Sequence, residues 1–78
     1  MSNKPALSSN QVIKILEKRF NFYISSQKGS HIKMQNNDSD NQKVTIVPNH
    51  KEIAYGTLKG ILKLAQIQEK EFWQKYYE

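Results

Sequence analysis

The sequence predicts an α+β domain: a three-stranded antiparallel sheet with its helices packed on one face. Three observations predict it. An amphipathic helical pattern opens the chain, the hydrophobic period then drops to two over three short segments, and a helical period returns through the last third. The order is helix, strand, strand, strand, helix, short C-terminal helix. Segregating the helices on one side of a small antiparallel sheet satisfies that order. Seventy-eight residues suffice for one domain, 1–78, with 1–6 expected to be a flexible lead.

The first helix announces its own start. Ser8 and Gln11 form the S-x-x-Q version of a capping box, and Leu7 and Val12 stand where a hydrophobic staple places its two apolar residues. Val12, Ile13, Ile15, Leu16 and Phe20 then occupy one arc of about 160° at 100° per residue, with Lys14, Glu17 and Lys18 opposite. A helix over about 9–19 follows.

From Phe20 the pattern alternates. Phe22 and Ile24 alternate with Asn21, Tyr23 and Ser25; after the turn signal Lys28-Gly29-Ser30, Ile32 and Met34 alternate with His31, Lys33 and Gln35. A hairpin with a two-residue Gly29-Ser30 loop and regular pairing would set Phe22 and Ile24 against the polar face of the second strand. The parity therefore requires an odd loop with Gly29 at positive φ, or an equivalent bulge. His31 and Lys33 would then share the wetter face with Tyr23, Ser25 and Gln27.

The polar run Asn36–Gln42 suits an exposed connection, and Val44-Thr45-Ile46-Val47 is a third, β-branched strand ended by Pro48. Leu58, Ile61, Leu62 and Ala65 mark the buried face of a second helix, in which Gly60 is a weak point. A break near Gln66–Gln68 leads to a last helix, about 69–77. Its Phe72, Trp73, Tyr76 and Tyr77 suit closing a core or docking a partner better than stacking bases.

Composition narrows the function. There is no Cys, so disulfide scaffolds, Cys-zinc modules and thiol nucleophiles are excluded. No apolar run exceeds three residues, so no transmembrane span is expected, and a cytoplasmic location is the default. Twelve Lys+Arg against seven Asp+Glu give +5; residues 1–63 carry ten basic and four acidic side chains, +6, and residues 64–78 carry two and three, −1. A basic surface of this kind attracts polyanions, nucleic acid foremost. The lysines are nonetheless spread through the segments, and only their convergence in the fold would make a site. The glycines fit no phosphate-loop spacing, and His31, His50, Asp38 and Asp40 have no ligand-type spacing, so neither cofactor nor metal is expected. His31 is the better proton-transfer candidate: it follows a glycine turn, on the polar face, with Lys28 and Lys33 at hand. His50, after a proline in a connection, reads as a solvated loop residue.

Leu7-Ser8-Ser9 with Val12–Leu16, then Gln27-Lys28-Gly29-Ser30-His31, then Val44-Thr45-Ile46-Val47-Pro48, then Gly56-Thr57-Leu58 with Ile61-Leu62-Lys63, together resemble the HicA-type toxin family of bacterial toxin–antitoxin systems. The resemblance spans about residues 7–73. It implies a double-stranded-RNA-binding-domain-like fold and a small ribonuclease that cleaves messenger RNA, with the histidine of G-S-H, here His31, as its active residue. It also implies a HicB-type antitoxin that masks that histidine and through which any DNA contact runs. The chain departs from the family pattern twice: Ile32 stands where many members carry a second histidine, and Gln66 stands where a glycine is usual.

On this basis His31 is the expected general acid or base of a metal-free cleavage in which the RNA's own 2′-OH attacks phosphorus. Lys28 and Lys33 would stabilise charge, and Gly29 and Ser30 would bring backbone close to the phosphate. With one imidazole in evidence, the second proton transfer falls to Lys, Tyr or water. The alternative is a non-catalytic RNA-binding module with the same fold, reading duplex shape through phosphates and 2′-hydroxyls.

Overall fold

The computed structural model describes residues 4–36 and 40–78. Residues 1–3 of the lead and 37–39 of the polar connection, Asp38 included, lie outside the described residues. The order is α1 (Ser9–Phe20), β1 (Phe22–Lys28), β2 (His31–Asn36), β3 (Val44–Pro48), α2 (Tyr55–Ala65) and α3 (Glu69–Tyr77). The three strands form one antiparallel sheet in the order β1-β2-β3. This is the expected α+β architecture, consistent with a double-stranded-RNA-binding-domain-like fold.

The capping box forms as read: the Gln11 amide donates to Ser8 Oγ at 3.2 Å and the Ser8 amide to Gln11 Oε1 at 2.9 Å. Both satisfy donors that the first helical turn would leave orphaned. Leu7 and Val12 are buried beside the cap. Asn21 closes α1 in the left-handed region, φ +61°, and turns the chain directly into β1.

One core lies between the sheet and the helices. Val12, Ile13 and Leu16 of α1, Leu58, Ile61, Leu62 and Ala65 of α2, and Phe72 and Trp73 of α3 meet Phe22, Ile32, Met34 and Val47 of the sheet. Leu16, Met34 and Phe72 are fully buried, so truncating Leu16 to Ala costs about 2–5 kcal/mol. Phe72 and Trp73 close this core, Trp73 standing edge-on to Phe72 and Tyr76. Lys4 Nζ lies 5.4 Å from the Trp73 ring centroid. A buried polar side chain also joins the layers: Thr45 Oγ1 donates to the Ile61 carbonyl at 2.7 Å, pinning β3 to α2.

The hairpin resolves its parity by a bulge. The loop has two residues, Gly29 and Ser30, with Lys28 paired to His31; Gly29 takes φ +59° at the first loop position, where a type II′ hairpin turn needs glycine. The ladder then slips between Ile24 and Ser26, so Ile24 pairs with Met34 and Phe22 with Asn36. Ser25 is the extra residue, its hydroxyl donating to the Lys33 carbonyl at 3.3 Å. The bulge keeps Phe22 and Ile24 on the helix side, as expected, although Ile24 stays 45% exposed beyond the reach of the helices. It also corrects one expectation. Beyond the bulge the alternation is inverted, so Ser26 and Lys28, not Ser25 and Gln27, share a face with His31 and Lys33.

Two connections are closed by hydrogen bonds. Asn36 and Lys43 close the β2–β3 connection, with Lys43 N donating to Asn36 Oδ1 at 2.9 Å and Asn36 N to Lys43 O at 3.1 Å. At the end of α2, Gln66 adopts φ +59° and its amide caps Leu62 and Lys63. The left-handed turn therefore survives without glycine.

Candidate functional site

The open face of the sheet carries the candidate residues. Residues paired across an antiparallel ladder project to the same side, with Cβ atoms about 5 Å apart. The register therefore lines one face with Tyr23, Ser26 and Lys28 from β1, His31, Lys33 and Gln35 from β2, and Val44, Ile46 and Pro48 from β3. Among the described residues no helix lies on this side: Lys28, His31 and Lys33 are exposed, whereas their strand neighbours Ile32 and Met34 are buried among the helices.

The sequence candidates converge. Lys28 stands directly opposite His31, and Lys33 follows it two residues along the same strand face. Gly29 and Ser30 form the turn between them, with nothing within 4 Å of the space a Gly29 side chain would enter. Two ammonium groups on an exposed surface around an imidazole suit a phosphodiester: the cations offset its charge and the imidazole can exchange a proton near neutral pH. The bulge makes this possible, since regular alternation from Phe22 would have put Lys28 on the helix side.

A further segment, missed in the sequence, borders the same turn. His31 pairs with Pro48, and the next amide, Asn49 N, donates to Ser30 O at 2.6 Å. The β3–α2 connection thus runs alongside the G-S-H turn and carries Asn49, His50 and Lys51, all exposed. Ser9, buried at the start of α1, holds it there. Its Oγ donates to Pro48 O and, at 2.8 Å, to His50 O; it accepts from His50 N at 2.5 Å; and Ser9 N donates to His50 O at 3.0 Å. No local pattern reveals this, because Ser9 looks like an ordinary first-turn residue and its partners lie some forty positions away.

The remaining surface features stand apart from this face. A groove of about 400 Å³ lies along α2 and α3, lined by Lys59, Gly60, Leu62, Lys63, Ile67 and Glu69. Beside it the Tyr55 hydroxyl donates to Glu69 Oε2, joining the first turns of α2 and α3. That bond, with burial and the carboxylate's charge, raises the Tyr55 phenol above its ordinary value. Among the described residues, no three His, Asp or Glu side chains group as metal ligands, and no helix is long and apolar enough to cross a membrane.

Residues 9–67, most of the chain and all of the site, match the family described as HicA toxin of bacterial toxin–antitoxin. The chain belongs to the HicA toxin family. It is thereby a toxin of a toxin–antitoxin system, as the resemblance implied. No individual curated protein matches it. The matched segment takes in the first helix, the G-S-H hairpin, the third strand and the second helix, which are the elements that hold His31, Lys28 and Lys33 in place.

Proposed function

We propose that this HicA toxin is a metal-independent endoribonuclease that cleaves messenger RNA, with His31 as its acid–base residue. The placement of His31 between Lys28 and Lys33 on an uncovered sheet face carries this assignment. An open face admits a polymer where a closed pocket would not. The reaction needs three things at one phosphate: a group to take the 2′-OH proton, positive charge for the developing phosphorane, and a proton for the departing 5′-oxygen. His31 supplies the first, and Lys28 and Lys33 supply the second. Gly29 and Ser30 bring the turn's backbone to the phosphate. The 2′-oxygen bonds to phosphorus as the bond to the 5′-oxygen breaks, giving a 2′,3′-cyclic phosphate and a 5′-hydroxyl.

The same exposed face is the surface that a HicB-type antitoxin covers in this proposal. Covering it neutralises the toxin by denying RNA access to His31, and mass action stabilises a domain with little stability to spare.

The test is cleavage of a defined RNA in excess EDTA by wild type and His31→Ala. Cleavage by wild type to cyclic-phosphate ends, lost by about 10²–10⁴ in the variant, is the expected result. Binding without cleavage by both proteins would instead mean a non-catalytic RNA-binding domain. A 3′-hydroxyl product would refute attack by the 2′-OH.

A further inference from the structure

We propose that His50 is the second proton-transfer residue of this site, the acid that protonates the departing 5′-oxygen. The inference rests on the ribonuclease assignment above and completes it. In-line cleavage through the 2′-OH moves two protons, and His31 accounts for one of them.

The fold brings the chain's other imidazole to the same end of the sheet. Pro48 is the ladder partner of His31, at about 5 Å between Cα atoms. His50 is two residues further on, a reach of at most about 7 Å. The two histidine Cα atoms therefore lie no more than about 12 Å apart, and both side chains are exposed. Imidazoles extending from two such points can attend one phosphodiester lying across the G-S-H turn.

Two further observations favour His50 over its neighbours. First, its backbone is fixed and its side chain is uncommitted. The peptide groups of residues 48–50 make the bonds to Ser9 and Ser30, and the His50 amide also donates to Pro48 O at 3.1 Å, while the imidazole takes part in none of them. A rigid mount with a free proton-transfer group is what precise placement at a reacting atom requires. Second, the nearby alternatives suit other work. Lys28 and Lys51 are point charges suited to phosphate oxygens, whereas an imidazole gives up a proton readily near neutral pH. Tyr23 shares the face of His31 but pairs with Gln35, four residues along β2 from it.

The 2′-OH proton passes to His31 as the 2′-oxygen bonds to phosphorus; the bond from phosphorus to the 5′-oxygen breaks, and the protonated His50 gives its proton to that oxygen. Ile32, the residue after His31, is buried in the core and carries no proton-transfer group.

The experiment compares wild type, His31→Ala, His50→Ala and His50→Gln on two substrates. One is an RNA with a mapped cleavage site. The other is the same RNA with sulfur replacing the bridging 5′-oxygen at that site, because a thiolate leaves without being protonated. His50→Ala and His50→Gln should cleave the ordinary RNA at least about 10²-fold more slowly and the sulfur-bridged RNA at near the wild-type rate. His31→Ala should be slow on both. Thermal melts of the two His50 variants should match wild type, since the bonds to Ser9 and Ser30 use the loop's backbone and not the imidazole. Undiminished cleavage of ordinary RNA by both His50 variants, or equal loss on both substrates, would overturn the role of His50 while leaving His31 in place. Failure of wild type to cleave either RNA would overturn the ribonuclease assignment itself, and this inference with it.

Discussion

Ser9→Ala removes one oxygen and unfastens the loop that borders the site. The hydroxyl is buried, accepts the His50 amide and shares its proton between the Pro48 and His50 carbonyls. Deleting it takes one of two partners from the His50 amide and from the Pro48 and His50 carbonyls; a buried group left wholly unpaired would lose about 1–3 kcal/mol. Part of the clamp remains: Ser9 N still reaches His50 O, and His50 N still reaches Pro48 O. The loss therefore falls in the lower half of that range, about 1–2 kcal/mol. In a domain of this size each kcal/mol moves the melting temperature by about 4–8 °C, so circular dichroism should record a drop of about 5–15 °C with a folded baseline retained. Ribonuclease activity at a temperature where the variant is folded should fall as well, because residues 48–50 lose their fixed position beside Ser30. Ser8→Ala is the control. It removes a helix cap worth about 1 kcal/mol at the same end of α1, and the Ser8 hydroxyl bonds Gln11 and not the loop, so the change should lower the melting temperature and leave cleavage intact. A melting temperature for Ser9→Ala within about 2 °C of wild type would refute the clamp. Equal activity losses in the two variants would refute its link to the site.

Three further outcomes follow from the geometry. Gln66→Gly should stabilise the domain by about 0.5–1 kcal/mol in denaturant titration, because glycine adopts the left-handed φ of +59° without a Cβ penalty. Thr45→Val keeps the shape but loses the bond to the Ile61 carbonyl, and should cost about 1 kcal/mol by the same measurement. Tyr55 donates to Glu69 only while protonated, and its raised folded value means that the stabilisation is complete below pH 10, the phenol's ordinary value, and is lost as pH rises through the folded value. Ultraviolet titration of tyrosinate should show that one late-titrating phenol, and Glu69→Gln should bring it back down.

The elements that local physics dictates were legible in the sequence. The Ser8–Gln11 box needs only a three-residue spacing, and the buried stripe Leu58, Ile61, Leu62 and Ala65 needs only a helical period. What escaped was non-local. Ser9 is meaningful only once residues 48–50 are folded against it, and His50 gains a neighbour in the His31 turn only when β3 pairs with β2. Sequence spacing carries no trace of either.

The hairpin lies between these cases, and it yields a sharper prediction. Parity alone required one residue too many between the apolar positions of β1 and those of β2. It could not say whether the loop or the strand would absorb the excess. The strand absorbs it at Ser25, because a two-residue loop with glycine first matches the natural twist of the ladder and a three-residue loop would forgo that match. Deleting Ser25 should therefore be tolerated. Ile24 would still meet Met34, Ser26 would still meet Lys33 and Lys28 would still meet His31, now in a continuous ladder. The lost hydroxyl contact is exposed and weak. Removing Ser25 and Ser26 together reverses the parity: either Phe22 and Ile24 turn outward, or Lys28 turns away from His31. Phe22 is buried, and exposing it forfeits about 1.5–3 kcal/mol, so Lys28 is the residue that should yield. The single deletion should then keep both fold and RNA cleavage, and the double deletion should keep a folded domain with weakened cleavage. Loss of cleavage on deleting Ser25 alone, in a variant that still melts cooperatively, would mean that the bulge itself shapes the site and that placing Lys28 opposite His31 is not its whole purpose.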